Sequence, residues 1–112
     1  PPEPFSVQRV ADDGVTVLVV GGHLDLATAR RFRRAVADLS GPVVADLNDC
    51  GFLDSTGLSA LLDARQRLGP GFAVTARPDG APARTLRLTV GELLAVHPTR
   101  AAAVREVRRA GA

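Results

Sequence analysis

The sequence predicts a single α/β domain in which an N-terminal β-hairpin is followed by alternating helices and strands, so that packed helices cover a mostly parallel central sheet. Three observations carry this prediction. Two strand-like segments flank a short turn near the N-terminus, the later segments alternate between helical and strand patterns, and 112 residues suit one hydrophobic core rather than two. With 46% hydrophobic and 23% charged residues, the chain does not belong to a disordered or fibrous class.

The N-terminal segment predicts a short arm and then the hairpin. Residues 1–4 include three prolines and are expected to form a flexible, unpaired arm, with the domain proper over residues 5–109. Because Pro1 is not an initiator methionine, we expect the chain to be trimmed, processed or a fragment of a longer protein. The predicted hairpin strands cover residues 5–10 and 15–20, joined by the turn Asp12-Asp13-Gly14.

The rest of the chain alternates between predicted helices and strands. Apolar residues recur at helical spacing in several segments, and short apolar runs bounded by turn residues indicate buried strands between them. A loop is predicted over residues 48–55, before the second helix. In chain order, we predict a helix over 27–39, a strand over 43–47, a helix over 56–68, a strand over 72–75, a helix over 83–90, a strand over 93–96 and a terminal helix opened by Pro98 and Thr99.

Composition argues against several functional classes. The longest apolar run is too short to cross a bilayer and no signal-peptide pattern precedes it, so we expect a cytoplasmic location without membrane contact. Cys50 is the single cysteine, which excludes an internal disulfide and predicts a small buried side chain. His23 and His97 lack metal-ligand spacing, so neither a metal nor a cofactor is expected. The arginines at 30–34 are interpreted as a solvated helix face, with no direct nucleic-acid contact.

The most informative segment is residues 52–58, where a buried strand gives way to a helix. A helix N-terminus offers unpaired N–H groups and partial positive charge, and ligands of α/β sheets gather at the carboxyl ends of strands. The Ser55 hydroxyl is therefore well placed to carry a phosphate, while the alternative that Asp54 or Ser55 only caps the helix stays open. Phe52 and Leu53 are expected to be partly exposed, as in a docking surface.

Two segments resemble the STAS-domain anti-sigma factor antagonists. Residues 52–58, Phe-Leu-Asp-Ser-Thr-Gly-Leu, are similar to that family's signature, and residues 22–29, which begin Gly-His-Leu-Asp, are similar to its Gly-Glu-Leu-Asp segment before the first helix. Residues 84–88 and 93–94 fall where the family has its third helix and last strand, so the resemblance covers about residues 5–108. His23 departs from the acidic residue common in the family. We expect it to be solvated, and the alternative that it alters the choice of kinase or adds pH sensitivity stays open.

The resemblance implies a protein-binding switch that is not an enzyme. In the family, the serine after the aspartate, here Ser55, is phosphorylated by a partner that is both serine kinase and anti-sigma factor. Thr56 is the less favoured phosphorylation site, because it is expected inside the first helical turn. The unmodified form would bind the kinase and free the sigma factor, phosphorylation would weaken that complex, and a serine phosphatase would reset it. The implied partner-binding residues are Asp25, Thr28, Phe52, Leu53, Asp54, Ser55, Thr56, Gly57 and Leu58, with Asp25 beside Ser55.

Two other interpretations have to be weighed. STAS modules also serve as protein-interaction domains in stressosomes, lipid-transport complexes and anion transporters, and the sequence leaves this alternative open. A magnesium site like that of a two-component receiver would need a gathering of acids such as Asp25, Asp46, Asp49 and Asp54. Receivers also use a lysine near the phosphoryl aspartate, and this chain has none.

Overall fold

The computed structural model describes residues 4–89 and 93–111, so the predictions for residues 1–3 of the arm and for a helix end at Val90 lie outside the described residues. Strands and helices alternate after an initial pair of strands. The elements are β1 Ser6–Asp12, β2 Val15–Leu24, α1 Ala29–Ala37, β3 Val43–Leu53, α2 Ser55–Leu68, a 3-10 turn Gly69–Gly71, β4 Phe72–Thr75, α3 Ala81–Thr89, β5 Val96–His97 and α4 Arg100–Gly111.

The strands form one sheet in the order β1-β2-β3-β4-β5, with β1 antiparallel to β2 and every other neighbouring pair parallel. The hairpin turns at Asp13 and Gly14, whose φ angles of 54° and 82° are both left-handed, and an Asp-Gly pair adopts such a turn readily. Among the described residues, no strand pairs with the outer edge of β1. The predicted fold class is therefore confirmed.

The sheet buries a hydrophobic core on each face. On one face α1, α2 and α3 contribute buried side chains that include Phe32, Leu61 and Leu86. On the other face α4 packs through Ala103, Val104 and Val107, which meet Val15, Val17, Val44 and Ala73 of the sheet. Val104 and Val107 therefore anchor the terminal helix on the sheet. No helix within the described ranges is long and apolar enough to cross a membrane.

β3 is longer than the sequence predicted. We expected a strand ending at residue 47 and a loop over 48–55, but β3 stays paired with β2 as far as Leu53. The pairing contains two register shifts, and such irregularities insert residues that interrupt the strand pattern. Residues 48–51, Asn-Asp-Cys-Gly, therefore look like a loop although they belong to the strand. The predicted loop is wrong, and Asp54 alone separates β3 from α2.

Other element boundaries differ less. β2 continues beyond residue 20 to Leu24, because the extended β3 gives it a partner for its last residues. The first helix begins at Ala29 rather than at 27, since residues 25–28 form a turn before it. The last strand was expected over 93–96, but pairing with β4 covers only Val96–His97, and the Leu93 side chain is exposed.

Candidate functional site

The strands β2 and β3 end side by side, and α2 starts directly beyond them. Leu24 at the end of β2 pairs with Leu53 at the end of β3, and Asp54 then leads into α2 at Ser55. Ser55 is therefore the first residue of the helix, at the carboxyl ends of two parallel strands. Its side chain is exposed, and its hydroxyl makes no hydrogen bond to the described residues.

Asp54 caps α2 and also holds the segment that follows β2. Its Oδ1 accepts a hydrogen bond from the Gly57 N–H at 2.9 Å, and its Oδ2 accepts one from the Leu26 N–H at 3.2 Å. The Asp54 N–H donates to the carbonyl oxygen of Leu24 at 3.3 Å. The capping role that the sequence left open between Asp54 and Ser55 belongs to Asp54. The Ser55 hydroxyl is thus not consumed as a cap.

Gly57 lets the first turn of α2 rest directly on the end of β2. A Cβ atom at this position would lie only 2.2 Å from the carbonyl oxygen of Leu24 and 2.9 Å from its Cγ. Real side-chain atoms do not approach a backbone oxygen so closely, so this position admits no side chain. Gly57 therefore fixes how near Ser55 comes to the segment after β2.

The predicted docking residues divide into exposed and buried sets. The expectation that Phe52 and Leu53 are both exposed is right for Phe52, which is 47% exposed, and wrong for Leu53, which is 3% exposed. The reason is that both lie in a strand, where consecutive side chains point to opposite faces. Gly57 and Leu58 are also buried. Leu53, Gly57 and Leu58 therefore support the site from the core side.

A compact turn over residues 25–28 lies against the start of α2. Asp25 Oδ1 accepts from the Ala27 N–H at 3.0 Å, and Thr28 Oγ1 accepts from the Asp25 N–H at 2.9 Å. The Thr28 hydroxyl also donates to the carbonyl oxygen of His23 at 2.7 Å. Asp25 and Thr28 thus stabilise the turn, and the bond from the Leu26 N–H to Asp54 joins it to the residue before Ser55.

Two exposed apolar side chains accompany Ser55, and we call Leu26 and Phe52 the apolar rim. Leu26 is 77% exposed, and the edge of the His23 ring meets Phe52 with ring centroids 5.6 Å apart and an interplanar angle of 60°. His23 is exposed, as expected. Leu26 was not among the predicted site residues. The signal that would have found it is an apolar residue in a turn otherwise made of polar and small residues.

Thr56 lies one residue further into α2 than Ser55. Thr56 falls inside the first helical turn, as expected, but α2 begins at Ser55 rather than at 56, so Ser55 belongs to the same turn. The two still differ in accessibility, since Ser55 is exposed and Thr56 is half-buried.

The four aspartates of the receiver-like hypothesis lie in different environments. Asp46 is 3% exposed and accepts a hydrogen bond from Arg100 Nε at 2.9 Å, which ties α4 to β3. Asp49 is exposed, and Asp54 is engaged as the helix cap. Over residues 4–89 and 93–111, no three His, Cys, Asp or Glu side chains gather in a way that could hold a metal ion. Asp46 is therefore a buried structural partner of Arg100.

Cys50 is buried, as predicted, and is 4% exposed. Its thiol donates to the carbonyl oxygen of Phe52 at 3.2 Å, and burial raises the pKa of this thiol above its usual range. Cys50 is therefore a protonated core residue at neutral pH, and it belongs to the support of the site rather than to its chemistry.

The arginines that might have contacted nucleic acid are partly neutralised by surface pairs. Arg33 pairs with Asp63, and Arg108 pairs with Asp13. Both pairs are solvent-exposed, where such contacts contribute little energy. Arg33 thus agrees with the solvated helix face expected over residues 30–34, and Arg108 lies on an exposed face of α4.

The domain class follows from the fold and from this arrangement at the start of α2. A family model of the STAS domain matches residues 6–103, and the chain belongs to the STAS-domain family.

Within that family, the chain is similar to proteins named as anti-sigma factor antagonists. The anti-sigma-F factor antagonist RsfB of Mycobacterium tuberculosis is 37% identical in an alignment of 82 positions that covers 68% of this chain and 67% of RsfB. The crystal structure of an anti-sigma factor antagonist from Mycobacterium paratuberculosis matches with a TM-score of 0.84 at 34% identity, covering 94% of this chain and 95% of that one. SpoIIAA in its unphosphorylated form shares the fold, with a TM-score of 0.65 at 16% identity over 95% and 97% of the two chains.

Proposed function

We propose that this domain is an anti-sigma factor antagonist whose partner binding is switched off by phosphorylation at Ser55. The observation that carries the proposal is the exposed Ser55 hydroxyl, which stands at the first position of α2 directly after the capping Asp54. Similarity to RsfB and to the M. paratuberculosis antagonist supports the first part of the proposal, that the domain is an anti-sigma factor antagonist. In its unmodified form the domain binds an anti-sigma factor that is also a serine kinase, and this binding frees the sigma factor.

The modification is a phosphoryl transfer in the active site of that kinase. Ser55 Oγ attacks the γ-phosphorus of ATP, the bond from that phosphorus to the bridging oxygen breaks, and ADP leaves as the serine proton passes to a base of the kinase. A serine phosphatase later transfers the phosphoryl group to water and restores the hydroxyl. In this proposal the domain supplies the acceptor and no catalytic group, so it is a substrate and a binding protein rather than an enzyme. Its place of action is the cytoplasm, together with the kinase.

Phosphorylation changes the charge beside Asp54. The phosphate adds about −1.5 to −2 charges at neutral pH. Within the folded domain this charge is tolerated, because it lies at the positive end of the helix dipole. Asp54 accepts a hydrogen bond from the Gly57 N–H, and the N–H groups of the two preceding helix residues remain available to the phosphate. Against a partner fitted to a neutral hydroxyl, however, the phosphate must be desolvated next to a carboxylate. The phosphorylated domain is therefore released.

The predicted partner-binding residues take different parts in this proposal. Phe52, Ser55 and the accessible portions of Asp54 and Thr56 contact the kinase. Asp25 and Thr28 act by shaping the turn at residues 25–28. The buried members Leu53, Gly57 and Leu58 fix the position of α2 against the sheet.

Mass spectrometry of defined variants tests the site. Wild type, Ser55→Ala and Ser59→Ala are each incubated with ATP and purified anti-sigma serine kinases from the source organism, and the intact masses are compared. We expect wild type and Ser59→Ala to gain one phosphate and Ser55→Ala to gain none. Ser59 is a matched control because it is an exposed serine of the same helix, one turn further on.

Thr56→Ala separates the two hydroxyls at the helix start. It should gain a phosphate like wild type, since Ser55 is intact. Equal incorporation in wild type and Ser55→Ala would refute Ser55 as the site, and loss of incorporation in Thr56→Ala alone would assign it to Thr56.

A further inference from the structure

Leu26 is an exposed leucine on a turn that is held rigidly in place. Its side chain is 77% exposed, while its own N–H donates to Asp54 Oδ2. The backbone on both sides is fixed by the side chains of Asp25 and Thr28 and by the bond from the Ala29 N–H to the carbonyl oxygen of Asp25 at 2.8 Å. A large apolar side chain is thus presented to solvent from a turn whose backbone is hydrogen-bonded on both sides.

The position of Leu26 relative to Ser55 sets it apart from scattered exposed hydrophobics. Single exposed leucines are common on protein surfaces and need no explanation. Leu26, however, is hydrogen-bonded through its backbone to the residue directly before Ser55, and Phe52, three residues before Ser55, forms the other part of the apolar rim. Ser55 is therefore preceded by one exposed apolar residue near the end of β3, and the segment bonded to Asp54 carries a second one in the turn after β2.

We infer that Leu26 is a docking residue for the serine kinase that modifies Ser55, and that it inserts into an apolar pocket beside that kinase's active site. This inference rests on the proposed function. A protein whose active site reaches the Ser55 hydroxyl must cover the residues around it. Leu26, which is exposed in the domain alone, becomes buried in that complex. Preorganisation of the turn reduces the entropy lost when the side chain is captured.

A docking residue outside the reacting group affects binding rather than chemistry. Leu26 carries no group that takes part in phosphoryl transfer, and its capture contributes equally to the ground-state complex and to the transition state. Its removal should therefore raise the KM of the kinase for this domain and leave kcat nearly unchanged. A general disturbance of the Ser55 end would lower kcat as well.

Kinetics of Ser55 phosphorylation test the inference. Wild type, Leu26→Ser, Leu26→Met and Leu93→Ser are compared as substrates of the purified anti-sigma kinase that labels Ser55, with ATP at saturation. We expect Leu26→Ser to raise KM about tenfold with kcat within about twofold, which is the size of effect of a modest interface anchor. Leu26→Met should restore a near wild-type KM, because methionine keeps the apolar volume.

Leu93→Ser is the matched control. Leu93 is a leucine of similar exposure, 66%, but it precedes β5 at the far edge of the sheet. Its substitution should leave both constants unchanged. An unchanged KM for Leu26→Ser, or an equal rise for Leu93→Ser, would overturn the docking role while leaving Ser55 as the phosphorylation site. Failure of every anti-sigma kinase to label wild type at Ser55 would overturn the proposed function and this inference together.

Discussion

Two aspartates, Asp46 within β3 and Asp54 directly after it, make different kinds of contact. Asp46 lies in the middle of β3, is 3% exposed and meets the Arg100 side chain. Asp54 follows the last residue of β3 and binds backbone N–H groups from two separate segments, at Leu26 and Gly57. One carboxylate is neutralised by a cation that anchors a helix, whereas the other organises a surface.

The difference predicts that residues of one strand affect stability and the proposed recognition of Ser55 separately. The contact of Asp46 fastens α4 to the face of the sheet opposite α1, α2 and α3, so its loss weakens the fold. The contacts of Asp54 determine where Ser55 and Leu26 stand relative to each other, so its loss should disturb recognition more than folding. Stability and kinase binding should therefore respond differently at these two positions.

The largest expected effect on stability is at Gly57, which belongs to the Asp54 end. Gly57→Ala would place a Cβ atom 2.2 Å from the Leu24 carbonyl oxygen, and the backbone must shift to relieve the clash. We expect the free energy of unfolding to fall by about 3 kcal/mol, at the upper end of overpacking costs. Urea denaturation measures this change, with the exposed Ser59→Ala expected within about 0.5 kcal/mol of wild type. Wild-type stability of Gly57→Ala would contradict the close approach of α2 and β2.

Asp46→Ala should have the next largest effect. It leaves Arg100 without its partner and removes the acceptor for the Asn48 N–H at 3.0 Å. Because the Arg100 side chain is 37% exposed and can reach water, we expect a loss of about 2 kcal/mol, less than for a fully buried pair. Asp49→Ala, an exposed position of the same strand, is the control. Asp46 should affect stability alone. Reduced phosphorylation of Ser55 in Asp46→Ala that is still folded would contradict the expected difference between Asp46 and Asp54.

Asp54→Ala should have the smallest effect on stability and a clear one on recognition. Loss of a helix cap costs about 1 kcal/mol, and the turn that carries Leu26 loses its tie to α2. A loss of this size leaves nearly all of the domain folded and by itself would hardly change the KM. We nevertheless expect the KM for Ser55 phosphorylation to rise, because the docking turn is no longer held in place. Asp63→Ala, which removes an exposed carboxylate of the same helix, should change neither quantity. Wild-type KM in Asp54→Ala would show that its contacts do not organise the docking surface.

Most of the fold could be predicted from the sequence, because its elements carry strong local patterns. The Asp13-Gly14 turn, the apolar stripe of α2 and the glycines that follow it all favour the structure that forms. The end of β3 could not be predicted in this way. Its register shifts place Asn48, Asp49 and Gly51 in a strand, and only pairing with β2 makes that extended backbone favourable.

The site was predictable in its centre and not at its margins. The position of Ser55 at the start of a helix follows from the local sequence around Asp54. The burial of Leu53 depends on the unpredicted extension of β3, and the proximity of Leu26 depends on a contact between residues 28 positions apart. Such contacts form only once the sheet has assembled, so they cannot be predicted from the periodicity of a local segment.

Within residues 4–89 and 93–111 the outer edge of β1 is unpaired, and this bears on how the domain behaves at high concentration. An unpaired strand edge can recruit strands from other molecules and start aggregation. Here Arg9 lies in the middle of β1 and the acidic Asp12 at its end, while β5 at the opposite edge has only two residues. Charge on one edge and brevity on the other oppose the growth of fibrils from the native state. The domain is therefore expected to stay dispersed at concentrations where an unprotected strand edge would recruit further copies.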